Sequence, residues 1–327
     1  MKVRNLNIEA LRVIAMFCIL LLHFSGRLFV SEDNVVHTAE LTVRSYFYIG
    51  VSIFAFISGY YGVKWNIRKF LKYELMALTW GLIIFILSFL ISNHIQLKSL
   101  YLFIPILSEV CWYYSAYILL MIVSPFVNEG INFMSLDKYK ILLILMMAIC
   151  YGGNFIFHRN GTAFNILFFI YFLARYIKIS GFEISSRKAL ILFVVSSTIT
   201  ALSVTFANNI WGGNLLKIIC NNHNPFIFIS AFSLFFAFKN MKKVPIFCKI
   251  LSKVAPYSFA VYIIHAELLY LDLIPLDLLR FSNQYFDTFI VTIVVFAISA
   301  IAEYLRIKFL NEVENTIVQK ITEKYKL

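Results

Sequence analysis

Three side chains stand out because of where they occur: Glu9, Arg12 and His23, inside the otherwise apolar segment NIEALRVIAMFCILLLHF. A charged group at the middle of a membrane helix costs about 2.5–3.5 kcal/mol on insertion scales, so each of these residues needs a reason to be there. Arg12 and His23 are eleven residues apart. At about 100° per residue the pair closes to within roughly 20° of whole turns, which puts both on one helix face, roughly 16 Å apart along the axis. Glu9 precedes Arg12 by three positions and is within ion-pairing reach. A cationic end and a titratable end on one face suit a long ligand with an anionic head. Histidine is also the side chain best able to take and return a proton near neutral pH. The plainer alternatives are an arginine that snorkels to the interface and an interior histidine bonded to another helix.

The elements that must hold these residues follow from composition. Of 327 residues, 61% are apolar and only 14% charged, with a mean hydropathy of +0.81. A soluble domain runs near 45–50% apolar and about 25% charged. The expected fold is therefore an all-α integral membrane protein, a single membrane domain over 1–327 with no separate soluble domain. Five scattered cysteines without a CxxC pair indicate neither a disulfide framework nor a zinc site, and no metal is expected.

Apolar runs predict helices near 8–30, 44–63, 71–92, 108–127, 141–158, 162–177, 189–207, 223–239, 257–272 and 285–310. About ten transmembrane helices result, three of them close to the lower length limit. The net charge of +12 tests the count. With both termini cytoplasmic, 23 Lys and Arg fall on the inner side and 6 on the outer. Cytoplasmic loops collect such residues. Omitting the eighth run destroys the bias, leaving 14 against 15. The positive charge thus reads as topology, and nucleic acid is not an expected partner. The first run lacks a small-x-small cleavage pattern and reads as an anchor.

The arrangement of Arg12, ten residues and His23 in a first membrane helix resembles the acyltransferase 3 family of bacterial membrane acyltransferases. Three further segments are similar to that family: GVSIFAFISGYY from Gly50, WYYSAYILLMIVSPF from Trp112, and YSFAVYIIHAELL from Tyr257. Two departures are visible. Glu9 stands where the family often has Asp, and Ala266 follows His265 where it commonly has Pro. The resemblance implies transfer of an acyl group, usually acetyl, from a coenzyme A thioester to a sugar hydroxyl. The acceptor would be an exported surface polysaccharide or a lipid-linked oligosaccharide, and the location the bacterial cytoplasmic membrane, with the lipid bilayer as surroundings. In those terms acetyl-CoA is the cofactor, Arg12 with Ser58 receives it, and His23 with Glu9 forms the catalytic set.

Other residues have weaker claims. Trp112 and Tyr113 could stack on a sugar or belong to an aromatic belt. The Ser58–Gly59 pair suits close helix packing as well as a ligand. His265 and Glu267 read as a His–carboxylate pair that orients an acceptor or as a structural pair. Glu109 suits a glycan mouth or an interfacial charge. Asn221 to Asn224, before the eighth run, could roof an acceptor site or form an ordinary loop. The competing function is a transporter of a small anion or glycan fragment; such proteins usually show internal repeats, and none is visible in this sequence.

Overall fold

The computed structural model describes residues 5–29, 34–108, 110–152, 163–210, 224–276 and 283–325, and these are helical without any strand. Glu109, Asn221 to His223, and the basic residues Lys2, Arg4, Arg159, Lys217, Arg280 and Lys326 lie outside the described residues.

The helices are α1 (Leu6–Leu28), α2 (Asn34–Phe47), α3 (Ile49–Tyr61), α4 (Ile67–Ser92), α5 (Trp112–Phe133) and α6 (Leu136–Met147). They continue with α7 (Ala163–Ile179), α8 (Ser186–Ile210), α9 (Pro225–Lys239), α10 (Ile246–Val254), α11 (Ser258–Tyr270) and α12 (Gln284–Lys324). Each of the ten apolar runs overlaps helix among the described residues, but fewer than ten are long enough to span by themselves. Among the described residues, seven helical segments are long and apolar enough to cross a membrane: Leu6–Leu28, Val36–Tyr61, Ile67–Ser92, Trp112–Phe133, Ser186–Ala207, Ile246–Tyr270 and Gln284–Lys324. The segment Pro225–Lys239 is apolar but shorter.

Several helices extend past the apolar runs. The run at 44–63 is preceded by helix from Asn34, the run at 257–272 by α10, and the last helix continues to Lys324. In each case the added stretch is amphipathic, so a search for unbroken apolar sequence ends before the helix does.

The chain divides into two compact units. The first comprises Met1–Gly62, Gly130–Pro256 and Arg280–Thr292, and α3 is its centre, packed on α1, α7 and α9. That centrality rests on glycine. A Cβ on Gly50 would sit 2.5 Å from the Ala15 carbonyl oxygen of α1, and one on Gly59 would sit 2.5 Å from the Tyr171 carbonyl oxygen of α7. Two helix backbones can approach that closely only where no side chain intervenes. Behind them Phe56 is fully buried against Phe228, Phe232 and Phe235 of α9. Gly62 closes α3 at φ +76, a conformation that side chains resist, and the Arg175 guanidinium lies over it.

The start of α1 is set by Asn5, whose side-chain oxygen accepts from the N–H groups of Asn7 at 3.0 Å and Ile8 at 3.4 Å. From there α1 runs unbroken to Leu28. Phe17 at its middle and Phe29 just past its end meet Phe289 and Tyr285 of α12 edge-on, at 5.7 and 5.0 Å. Gln284 donates to the buried Glu40 of α2 at 2.6 Å.

The second unit comprises Val63–Glu129, Tyr257–Leu279 and Ile293–Leu327. In it α11 and the 3-10 turn Leu97–Phe103 pack on α4. Its charges are tied in a buried network. Glu303 accepts from Trp80 Nε1 at 2.9 Å and from Arg306 Nε at 2.7 Å, and Arg306 also pairs with Glu314. Breaking such a pair is costly because an uncompensated charge stays behind.

The glycine contacts give a direct test. Gly59→Ala should lower the thermal midpoint of the detergent-solubilised protein, by an equivalent of about 1–3 kcal/mol, because the methyl group overpacks the α3–α7 contact. Gly130→Ala, whose Cβ would meet nothing within 4 Å, is the control. Equal midpoints for the two variants would refute the backbone contact.

Candidate functional site

On the uninterrupted α1, Glu9, Arg12 and His23 keep the register that their spacing implies. Arg12 Nη1 lies 3.4 Å from Glu9 Oε1; the Arg12 side chain is 37% exposed and that of Glu9 10%. The guanidinium is therefore held by its acid yet still open on one side. His23 is half-buried. On the stripe between them Met16 and Ile19 are both buried, with Ile19 against Gly50.

Around Arg12 the first unit gathers further cations and two tyrosines. Lys239, Arg12 and Glu9 all act electrostatically on the Tyr61 hydroxyl. Lys178 and Lys239 lie 5.0 and 5.5 Å from the centre of the Tyr60 ring, a favourable cation–π placement. A single acid, Glu183, ties the group together. It accepts from Lys239 Nζ at 2.5 Å, from Asn240 Nδ2 at 3.0 Å and from the Tyr60 hydroxyl at 3.3 Å. Partial desolvation acts to raise the Glu183 pKa, but the hydrogen bonds and the Lys239 charge outweigh it and hold it below the ordinary glutamate value.

At the other end of α1 the structure adds a residue that spacing alone did not single out. Arg44 of α2 passes over Gly26, where a Cβ would meet its Nη2 at 2.7 Å, one turn beyond His23. It acts electrostatically on His23. Arg44 Nε is buried without a hydrogen-bond partner among the described residues. In the sequence Arg44 is only one of the outer-side cations. The signals that could have found it are a cation beside an apolar run and a glycine one turn after the histidine.

Ser58 is half-buried, and its hydroxyl makes no hydrogen bond among the described residues. Its neighbour Gly59 is a packing residue. Asn224 caps α9 through Oδ1, which accepts from the Phe226 N–H at 2.9 Å.

Trp112, Tyr113, His265 and Glu267 belong to the second unit. Tyr113 is buried, not lipid-facing, and its N–H donates to the Tyr262 hydroxyl at 3.1 Å. Trp112 is half-buried and meets the Tyr113 ring edge-on at 5.7 Å. His265 is fully buried, with Nδ1 2.8 Å from the Val261 carbonyl. A carbonyl only accepts, so Nδ1 carries a proton. The expected His265–Glu267 pair does not form: residues two apart on a helix point to different sides, and Glu267 Oε2 is buried without a partner among the described residues. With Ala266 in place of a proline, the backbone stays helical through His265 to Tyr270.

A family model described as an acyltransferase domain matches residues 5–304. The chain belongs to the acyltransferase 3 family. As such it is a multi-pass membrane enzyme that transfers acyl groups. No curated protein and no solved structure matches this acyltransferase. The match contains the α1 set, Arg44, and the His265–Glu267 segment.

The Glu183 clamp carries a pH signature. Because its folded pKa is depressed, the stability it contributes is present above the unfolded glutamate value and is lost as pH falls through the folded one. The thermal midpoint of this acyltransferase should exceed that of Glu183→Gln at about pH 7, and the gap should narrow as pH falls below the ordinary glutamate value. A gap that widened on acidification would contradict the hydrogen-bonding assignment.

Proposed function

We propose that the protein transfers an acyl group, in the first instance acetyl, from cytoplasmic acyl-CoA to a hydroxyl of an exported or lipid-linked surface glycan. The observation that carries this reading is the α1 face itself: a half-open arginine and a half-buried histidine on one unbroken helix of an acyltransferase. The charge bias of the loops supports ten spans with both termini inside and a bacterial cytoplasmic-membrane location, which puts Arg12 toward the acyl donor and His23 toward the exported acceptor.

In this mechanism Arg12, supported by Glu9 and by Lys178 and Lys239 around Tyr60, receives the phosphate-rich head of the donor. Ser58 stands on the neighbouring α3 as a further polar contact. His23 takes the proton of the sugar hydroxyl as its oxygen attacks the thioester carbonyl, and returns it to the departing thiolate. Arg44, with a buried Nε in need of an acceptor, stabilises the oxyanion that forms on the carbonyl. Asn224, at the start of α9, is assigned to the glycan; within the second unit, Trp112, Tyr113, His265 and Glu267, whose Oε2 is buried without a partner among the described residues, form a glycan contact of their own. Glu267 is the strongest of these, because a buried carboxylate oxygen without a donor matches a sugar hydroxyl.

The test is the O-acyl content of surface polysaccharide in cells that carry the wild-type gene, no gene, or a variant. His23→Ala should lose transfer by about 10²–10⁴-fold while the protein still folds. Arg44→Met should lower turnover by about 10²–10³-fold with little change in donor affinity. Wild-type acylation by His23→Ala, or no change in any acyl ester on deleting the gene, would sink the reading.

A further inference from the structure

Away from α1, the beginning of α4 and the distal part of α12 enclose a groove of about 660 Å³. Arg68, Lys69 and Lys72 line one wall, and Asn315, Gln319 and Glu323 the other. Each set lies on one face by helical spacing: 68, 69 and 72 share a turn, and 315, 319 and 323 follow at intervals of four. All six belong to the second unit.

The charge of this groove is unbalanced by construction. None of its three cations forms an ion pair among the described residues. Lys69 Nζ is held 5.3 and 5.9 Å from the centres of the Tyr73 and Tyr117 rings and donates to the Tyr117 hydroxyl at 3.4 Å. That placement fixes the ammonium without neutralising it. The one acid in the lining, Glu323, accepts from Gln319 Nε2 at 2.7 Å. The nearby Glu314 is paired with Arg306, and its charge also acts on Lys72 from outside the lining. Other lysines of the chain do find acids, as in Lys98–Asp272 and Lys140–Asp137. The N-terminus of α4 adds its partial positive charge to the same space, with Asn66 Oδ1 capping the Lys69 N–H at 2.9 Å.

We infer that this groove binds a phosphate group carried on a larger molecule. Three cations, one of them held in place between two tyrosines, against one lining carboxylate leave an excess of two positive charges that matches a dianion, and side-chain amides on the opposite wall supply neutral donors. The volume exceeds what a bare phosphate fills and is in the range of small-molecule sites. Residues 66–72 stand at the end of a helix apolar enough to cross a membrane, so both a soluble phosphorylated molecule and an anionic lipid headgroup have access. The inference stands independently of the acyl-transfer reading.

The experiment uses the full chain and reads its thermal midpoint in two arms. In neutral detergent, inorganic pyrophosphate is titrated against sodium chloride of equal ionic strength. In nanodiscs, phosphatidylcholine alone is compared with phosphatidylcholine plus phosphatidylglycerol. The variants are Arg68→Gln with Lys72→Gln, and Asn315→Asp, which adds a carboxylate to the far wall and removes no cation. A wild-type shift with pyrophosphate that weakens at least about tenfold in the variants identifies a soluble source. A shift with phosphatidylglycerol alone, lost in the variants, identifies a lipid headgroup, and a response in both arms supports phosphate recognition from either source. Equal behaviour of wild type and Asn315→Asp in both arms overturns the inference, even where the double variant fails to fold.

Discussion

A carboxylate or guanidinium carried among apolar helices loses its hydration shell, and only a counter-charge or well-placed hydrogen bonds can replace it. That requirement sorts the ionisable groups of this chain into two kinds. Glu303, Arg306 and Glu314, with Trp80, satisfy one another and hold α12 to α4. Glu183 does the same for Lys239 and Asn240 at the Arg12 end of the first unit. The second kind is left incomplete: Arg44 Nε, Arg175 Nε and Glu267 Oε2 are buried without partners among the described residues. A cost that the fold does not recover internally persists only if something else recovers it. Arg44 and Glu267 are therefore stronger functional candidates than the paired residues around them.

Glu9 and Arg12 fall between the two kinds. At 3.4 Å, with the arginine more than a third exposed, the pair contributes little to stability in itself. Its effect is to fix the direction of the guanidinium, because a carboxylate one turn earlier holds the side chain along the helix. A planar group held in this way loses less rotamer freedom on meeting an anion than a free lysine would.

The parts of this arrangement that were legible in the sequence are local ones. The face shared by Arg12 and His23, the Glu9 contact and the packing role of Gly59 follow from spacing along single helices, and the structure repeats them. What was not legible depends on a second helix or on amphipathic sequence. Arg44 reaches the His23 turn across Gly26, a contact between α1 and α2 that no periodicity encodes. The early starts at Asn34 and Ile246 and the late end at Lys324 lie in stretches whose polar face cancels their apolar one in any running average. The pairing of His265 with Glu267 failed for the opposite reason: closeness in sequence was taken for closeness in space, although positions i and i+2 of a helix are roughly 200° apart.

One constraint on the path between the two ends of α1 follows from the packing of α3. Gly50 brings its backbone against the Ala15 carbonyl, and Ile19 is buried in the same contact. Ile19 is β-branched, with a stiff first torsion, so it stays where α3 pins it. Met16 occupies the same stripe with an unbranched side chain of three rotatable bonds, the kind that vacates and refills a gap at low cost. On the proposed reading, a donor held at Arg12 with its thioester at His23 would pass over Met16 and beside Ile19. On that argument the side chain at 16 sets how readily the stripe opens, while the glycine contact at 50 keeps the two ends in register as it does.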